Sequence, residues 1–264
     1  MKQRIITAVI AGAGFLGVLW YGGLPFILLM VLLAVIAMGE LLKMKHIRLF
    51  SSRGALGFIF VLLLALPEDW LEQGIIAVDR NELFLILIIA MLALTVLTKN
   101  AFTFDEAGFM ILASVYVGFG FHYFMYARFA ENGLALLILI LILIWMTDTG
   151  AYFAGRAFGK HKLWPKISPK KTIEGALGGM AAAFAAGYIY SAYFNVFDSG
   201  WELFFCILIV SSAGQLGDLV ESAFKRHYAV KDSGNVLPGH GGILDRFDSM
   251  IFVMPILYLF GFLG

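Results

Sequence analysis

Apolar residues run through this chain in long blocks divided by short polar stretches. Nine of these blocks approach the roughly 20 residues that cross a bilayer as a helix. They cover residues 5–22, 24–42, 54–67, 83–98, 107–127, 133–155, 175–196, 202–219 and 247–263. The third is short and is expected to be tilted, distorted or only partly inserted. The pattern predicts an all-α polytopic membrane protein with about nine transmembrane helices. Composition agrees, at 61% hydrophobic and 14% charged residues with a mean hydropathy of +0.89, because a soluble domain of this length would expose far more charge.

The net charge of +1 is uninformative, but the placement of charge is not. With the N-terminus in the cytoplasm, 17 of the 19 Lys and Arg residues fall on the cytoplasmic side, as the positive-inside rule requires. Only Arg80 and Arg128 fall outside, beside Glu68, Asp69, Glu72, Asp79, Glu82 and Glu131. An odd number of spans then leaves the C-terminus outside. The chain divides into residues 1–130, holding spans one to five, and residues 131–264, holding spans six to nine. Two cytoplasmic loops in the second region, 156–174 and 220–246, carry ten of the basic residues. Retention of positive charge explains their sign but not the Gly, Ser, Pro, Asn and Asp set among the bases. The bilayer is the expected partner, and nothing points to nucleic acid.

Several tempting features lead elsewhere. Gly12, Gly14 and Gly17 form a G-x-G-x-x-G within a hydrophobic span, without the preceding strand that a dinucleotide site needs. Close helix packing through small residues is the expected role. Cys206, the single cysteine, reads as a small buried hydrophobe. His122 lies in an aromatic span and reads as structural, and no Ser-His-Asp or Cys-His arrangement is present.

Carboxylates inside spans are costly and by default suggest function. Asp148 and Asp218 each come fifteen residues into an uncharged segment descending from the outer side. That is a drop of about 22 Å at 1.5 Å per residue, which places both near the cytoplasmic edge of the hydrocarbon. Asp245 and Asp248 open the last span from the same edge, and Asp218 and Glu221 share their i, i+3 spacing. Carboxylates converging there would repel one another, and a divalent cation removes the conflict. Oxygen ligands suit Mg²⁺ better than zinc. Lys, Arg and glycine-rich backbone beside such an ion are what a polyphosphate requires. Ser168, Lys170, Lys171 and Thr172 precede span seven, where hydroxyls and a helix N-terminus can hold phosphate oxygens or cap the helix. His240, in PGHGG, either orients a phosphate or braces its loop.

The stretch SAFKRHYAVKDSGNVLPGHGGILDRFD, residues 222–248, resembles the signature of the phosphatidate cytidylyltransferases (CDP-diacylglycerol synthases). DTGAYFAGRAFGKHKL (148–163) and SPKKTIEGALGG (168–179) resemble the same family. The likeness is strong over about 145–250, and the earlier spans share only hydrophobicity. It implies that phosphatidate and CTP give CDP-diacylglycerol and pyrophosphate with Mg²⁺, with or without a second cation. Asp218, Asp245 and Asp248 would bind the metal, with Asp148 or Glu221 in support. Lys225, Arg226, Lys231, Arg246, Lys170 and Lys171 would neutralise phosphates, with Lys231 and His240 facing them and Gly241 and Gly242 admitting backbone to them. The resemblance further implies a homodimer in the cell (inner) membrane with its active site at the cytoplasmic face. Rival readings are another CTP-dependent lipid-phosphate cytidylyltransferase, a lipid kinase or, from another class, a cation transporter. No inverted repeat supports the last.

Overall fold

The computed structural model describes residues 2–72, 79–237 and 239–263. Each of the nine apolar blocks forms a helix. They are α1 (Lys2–Tyr21), α2 (Gly23–Met44), α3 (Ser52–Ala65), α5 (Arg80–Leu97), α6 (Phe104–Phe129), α7 (Gly133–Phe158), α8 (Ile173–Ser191), α9 (Gly200–His227) and α10 (Leu244–Leu259). A five-residue turn of helix, α4 (Glu68–Glu72), stands between α3 and α5. Among the described residues, α2, α5, α6, α7 and α9 are long and apolar enough to cross a membrane. The chain is therefore a largely helical, integral membrane protein. α3 is short, at 14 residues, and α10 carries Pro255 in its interior, where the ring removes one helical hydrogen bond.

The helices fall into two compact units. Met1–Met125 with Ser233–Leu244 forms the first, and Tyr126–Asp232 with Asp245–Gly264 forms the second. In the first, Phe26, Met30, Met38, Leu64, Met110 and Phe121 are fully buried. Arg80 opens α5 and donates to the carbonyls of Leu64 (2.6 Å) and Leu66 (2.9 Å). It thereby satisfies carbonyls left open where α3 ends. In the second unit α7 and α8 touch backbone to backbone. A Cβ on Gly178 would stand 2.2 Å from Ala154 Cβ, and one on Gly179 would stand 2.5 Å from the Thr147 carbonyl oxygen. Small residues permit this approach, which supplies van der Waals contact where no hydrophobic drive exists between spans. Gly217 of α9 does the same against Asp248 and Ser249 of α10.

Three expectations are corrected. Among the described residues the glycine triplet of α1 meets nothing, since a Cβ at Gly12, Gly14 or Gly17 has no neighbour there within 4 Å. Close glycine packing belongs to α7 and α8. The loop expected over 220–246 starts late, because α9 continues to His227. Its last turn carries Lys225, Arg226 and His227, charges that suit a helix C-terminus, and Glu221 pairs with Lys225 at i, i+4. Finally, the loop expected over 156–174 holds an antiparallel hairpin, β1 (Lys162–Trp164) with β2 (Ser168–Thr172). Lys162 pairs with Thr172 and Trp164 with Ser168.

Gly179→Ala is expected to force α7 and α8 apart and to destabilise the protein by about 1–3 kcal/mol, as overpacking does. Gly12→Ala is expected to leave stability unchanged. Thermal unfolding of the two variants in the same detergent checks the contrast.

Candidate active site

The second unit builds its polar centre where α7, the hairpin, α8 and α9 meet. Thr172 ends β2 and caps α8, its Oγ1 accepting from the Gly175 N–H at 3.1 Å. The cap fixes the direction of the residue before it, and Lys171 Nζ reaches Asp218 Oδ2 at 2.6 Å and the Gln215 carbonyl at 3.3 Å. Gln215 in turn donates to the Ser211 carbonyl at 3.0 Å. Around this pair lies a cavity of about 380 Å³ lined by Asp148, Tyr152, Arg156, Lys170, Lys171 and Asp218. Its walls carry three basic groups and two carboxylates, with an aromatic ring beside them.

The open end of the hairpin, where β1 begins and β2 finishes, is clamped by Glu174. Its carboxylate accepts from the backbone N–H groups of Lys160 (3.1 Å) and His161 (3.2 Å) and meets His161 Nδ1 at 2.5 Å. Its own backbone N–H and the His161 ring hold this carboxyl down at about 2, so the clamp is charged throughout the neutral range.

The expected carboxylates are brought together. Asp218 acts electrostatically on Asp148 and on Asp248, and Asp245 and Asp248 both act on Glu221. Lys225 Nζ stands between Glu221 Oε2 (2.5 Å) and Asp245 Oδ1 (2.7 Å), with Glu221 only 1% exposed. Burial of this kind is tolerable only with the ammonium in place. The Ser222 hydroxyl donates to Asp218 Oδ1 at 3.3 Å, and the Ser249 N–H donates to Asp248 Oδ1 at 2.7 Å.

Among the described residues no three metal-ligating side chains stand close enough to hold an ion as they are. Lys171 and Lys225 occupy the carboxylates instead. The donor chemistry nevertheless suits a hard cation, being oxygen throughout. Glu221 Oε1 is also buried with no hydrogen-bond partner among the described residues.

Other expected residues lie differently. Arg226 Nε donates to the Ile167 carbonyl at 3.2 Å and so braces the hairpin turn. Lys231 and Arg246 are exposed, as is Lys170, while Ser168 is half-buried in β2. His240 belongs to the loop Ser233–Leu244 of the first unit. There the Leu237 N–H donates to Gly241 O at 3.1 Å and the His240 N–H to Leu237 O at 2.9 Å. Gly239 and Gly241 take positive φ values of 79° and 85°, which side chains resist. Pro238 of the signature lies outside the described residues.

Gly242 does admit a close neighbour, but it is a group of the protein itself. A Cβ there would stand 2.4 Å from both carboxylate oxygens of Glu40 and 2.1 Å from Ser233 Oγ. Glu40, in α2, went unnoticed in the sequence, although it interrupts an otherwise uncharged apolar run from Gly22 to Leu42. By the rule that singled out Asp148 and Asp218, it qualified as a candidate.

Comparison with known proteins places these features. A family model described as the cytidylyltransferase family matches residues 2–263. A phosphatidate cytidylyltransferase of Bacillus subtilis is 47% identical over 259 residues, covering 98% of this chain and 96% of its own. Proteins of the same name from Staphylococcus epidermidis and Staphylococcus aureus are 45% and 44% identical, each over 97% of both chains.

Lys225→Met removes the cation between two buried carboxylates and is expected to cost about 3–5 kcal/mol of stability. Adding Glu221→Gln to that variant removes one stranded charge and should restore part of the loss. Unfolding of the single and double variants in detergent measures both.

Proposed function

The chain belongs to the cytidylyltransferase family, and on that premise we propose that it joins phosphatidate to CTP, giving CDP-diacylglycerol and pyrophosphate for phospholipid synthesis. The observation that carries this reading is the pairing of Asp218 with Lys171, together with Asp148, Lys170 and Arg156, around a cavity of about 380 Å³. The near full-length identity to phosphatidate cytidylyltransferases supports the lipid acceptor.

The reaction asks for placement more than for proton transfer. An oxygen of the lipid phosphate forms a bond to the α-phosphorus of CTP. The bond from that phosphorus to its bridging oxygen breaks, and pyrophosphate leaves with the electron pair. A phosphate monoester is largely ionised at neutral pH, its second pKa lying near 6, so no general base is required. Lys170, Lys171 and Arg156 line the cavity and would draw in polyphosphate oxygens. On substrate binding the Lys171 ammonium has an alternative partner to Asp218, which would release that carboxylate for a metal. Mg²⁺ held by Asp218, Asp245 and Asp248, with Asp148 or Glu221 in support, would supply charge neutralisation at the departing pyrophosphate.

Helix length supports a site at the membrane edge. α9, with 28 residues, extends about 42 Å, whereas the hydrocarbon core is about 30 Å thick. The turns carrying Glu221 to His227 therefore lie at or beyond the interface. The segregation of bases supports nine spans, with the N-terminus in the cytoplasm, the C-terminus outside and the site on the cytoplasmic face of the cell membrane. Acyl chains then stay in the bilayer while CTP arrives from water. The family resemblance adds a homodimer.

Purified protein given CTP, Mg²⁺ and phosphatidate is expected to release pyrophosphate, and to do so far more slowly with a polyprenyl phosphate as acceptor. Asp218→Asn and Asp248→Asn are each expected to lower kcat by at least about 100-fold. Undiminished turnover in either variant removes that residue from the site, and preference for the polyprenyl acceptor replaces the substrate.

A further inference from the structure

Glu40 is 2% exposed, and its carboxylate is enclosed by one short loop of its own unit. Its Oε1 accepts from the Ile243 N–H at 2.8 Å. Its Oε2 accepts from the Leu244 N–H at 2.9 Å and from Ser233 Oγ, also at 2.9 Å. A Cβ on Gly234 would come within 2.6 Å of Oε1 and one on Gly242 within 2.4 Å of both oxygens. The loop is thus shaped around a planar, two-oxygen acceptor, with glycine wherever the acceptor comes closest.

Leu244 is the first residue of α10. The opening N–H groups of a helix have no partner within it and carry its positive dipole end. A serine or aspartate just before the helix supplies the acceptor in most proteins. Here the preceding residues are Gly241, Gly242 and Ile243, none of which has a side-chain oxygen. Glu40, more than 200 residues away in the chain, takes that place. Asp245 follows Leu244 directly, and Asp248 lies one helical turn further on.

We propose that Glu40 is a positioning residue: it caps α10 from α2 and fixes the direction in which Asp245 and Asp248 enter the helix. This rests on the reading that those two aspartates serve nucleotidyl transfer. Glu40 touches neither substrate in that reading and acts through the backbone of Ile243 and Leu244. A glutamine there has the same shape but presents an NH₂ where one oxygen accepted, so donor would face donor. Ser233 reinforces the carboxylate and has no part in the cap by itself.

The test compares the full-length protein with Glu40→Gln, Ser233→Ala and the double variant, in one detergent. Hydrogen exchange followed by mass spectrometry and steady-state kinetics with CTP and phosphatidate are the two readouts. As for other groups that orient a site's ligands without touching substrate, Glu40→Gln is expected to lower kcat about 10- to 100-fold. KM for CTP should stay near its original value. Exchange should quicken only in peptides covering residues 233–248. Ser233→Ala should fall less, and the double variant should match Glu40→Gln because the hydroxyl works through the carboxylate. Unchanged exchange over 233–248 overturns the proposal, as does quickened exchange across all helices or an additive double variant. If Glu40→Gln does not fold, Ser233→Ala decides: it must quicken exchange in 233–248 selectively, and wild-type exchange there overturns the cap. Wild-type protein inactive on CTP and phosphatidate would overturn the assigned reaction and not the cap, since exchange reads the cap without turnover.

Discussion

Carboxylates that share one poorly hydrated neighbourhood must be answered by positive charge, and the second unit is organised around that requirement. Asp148, Asp218, Asp248, Glu221 and Asp245 all lie within electrostatic reach of others in the set. Lys171 answers Asp218, and Lys225 answers Glu221 and Asp245 together. An arrangement of this kind is poor evidence of stability, since apolar packing would fill the same space at lower desolvation cost. In the proposed reaction a polyphosphate and its cation would displace the lysines from these carboxylates.

That neighbourhood depends on how closely helices approach. Gly178 and Gly179 let α8 lie directly on α7, and Gly217 lets α9 lie on α10. Two of these contacts sit beside a carboxylate: Thr147, met by Gly179, precedes Asp148, and Gly217 precedes Asp218. The hairpin then projects Lys170 and Lys171 over the cavity, held at its open end by the Thr172 cap and Glu174 and at its turn by Arg226. In the first unit the same logic is inverted. Backbone N–H groups gather around a single carboxylate, Glu40, and glycine is used to leave it room.

Much of this was legible in the sequence. Among the described residues each of the nine apolar blocks lies on a helix, because long apolar runs satisfy their backbone hydrogen bonds internally in that way. Asp148, Asp218, Asp245 and Asp248 were visible as charges in apolar surroundings, and the 222–248 stretch pointed to the cytidylyltransferase family, to which the chain belongs. Less legible was the point at which a helix stops when its tail turns polar. Residues 220–227 look like loop by composition, yet Lys225 and Arg226 suit a helix C-terminus and prolong α9. The hairpin over 162–172 is too short for alternation to declare itself. The glycines of α1 match a packing motif but meet no neighbour among the described residues, and those of α7 and α8 do the packing.

The sequence by itself determined the helical, membrane-spanning character, the family and the inventory of ionisable groups, because hydropathy, charge and motif spacing are local properties of the chain. Only the tertiary structure decided which lysine answers which carboxylate. It also decided that Arg226 braces the hairpin turn and that the space beside Gly242 belongs to Glu40. Those outcomes depend on distances between residues far apart in sequence, and in a medium of low dielectric an ångström or two separates a bound pair from a costly isolated charge.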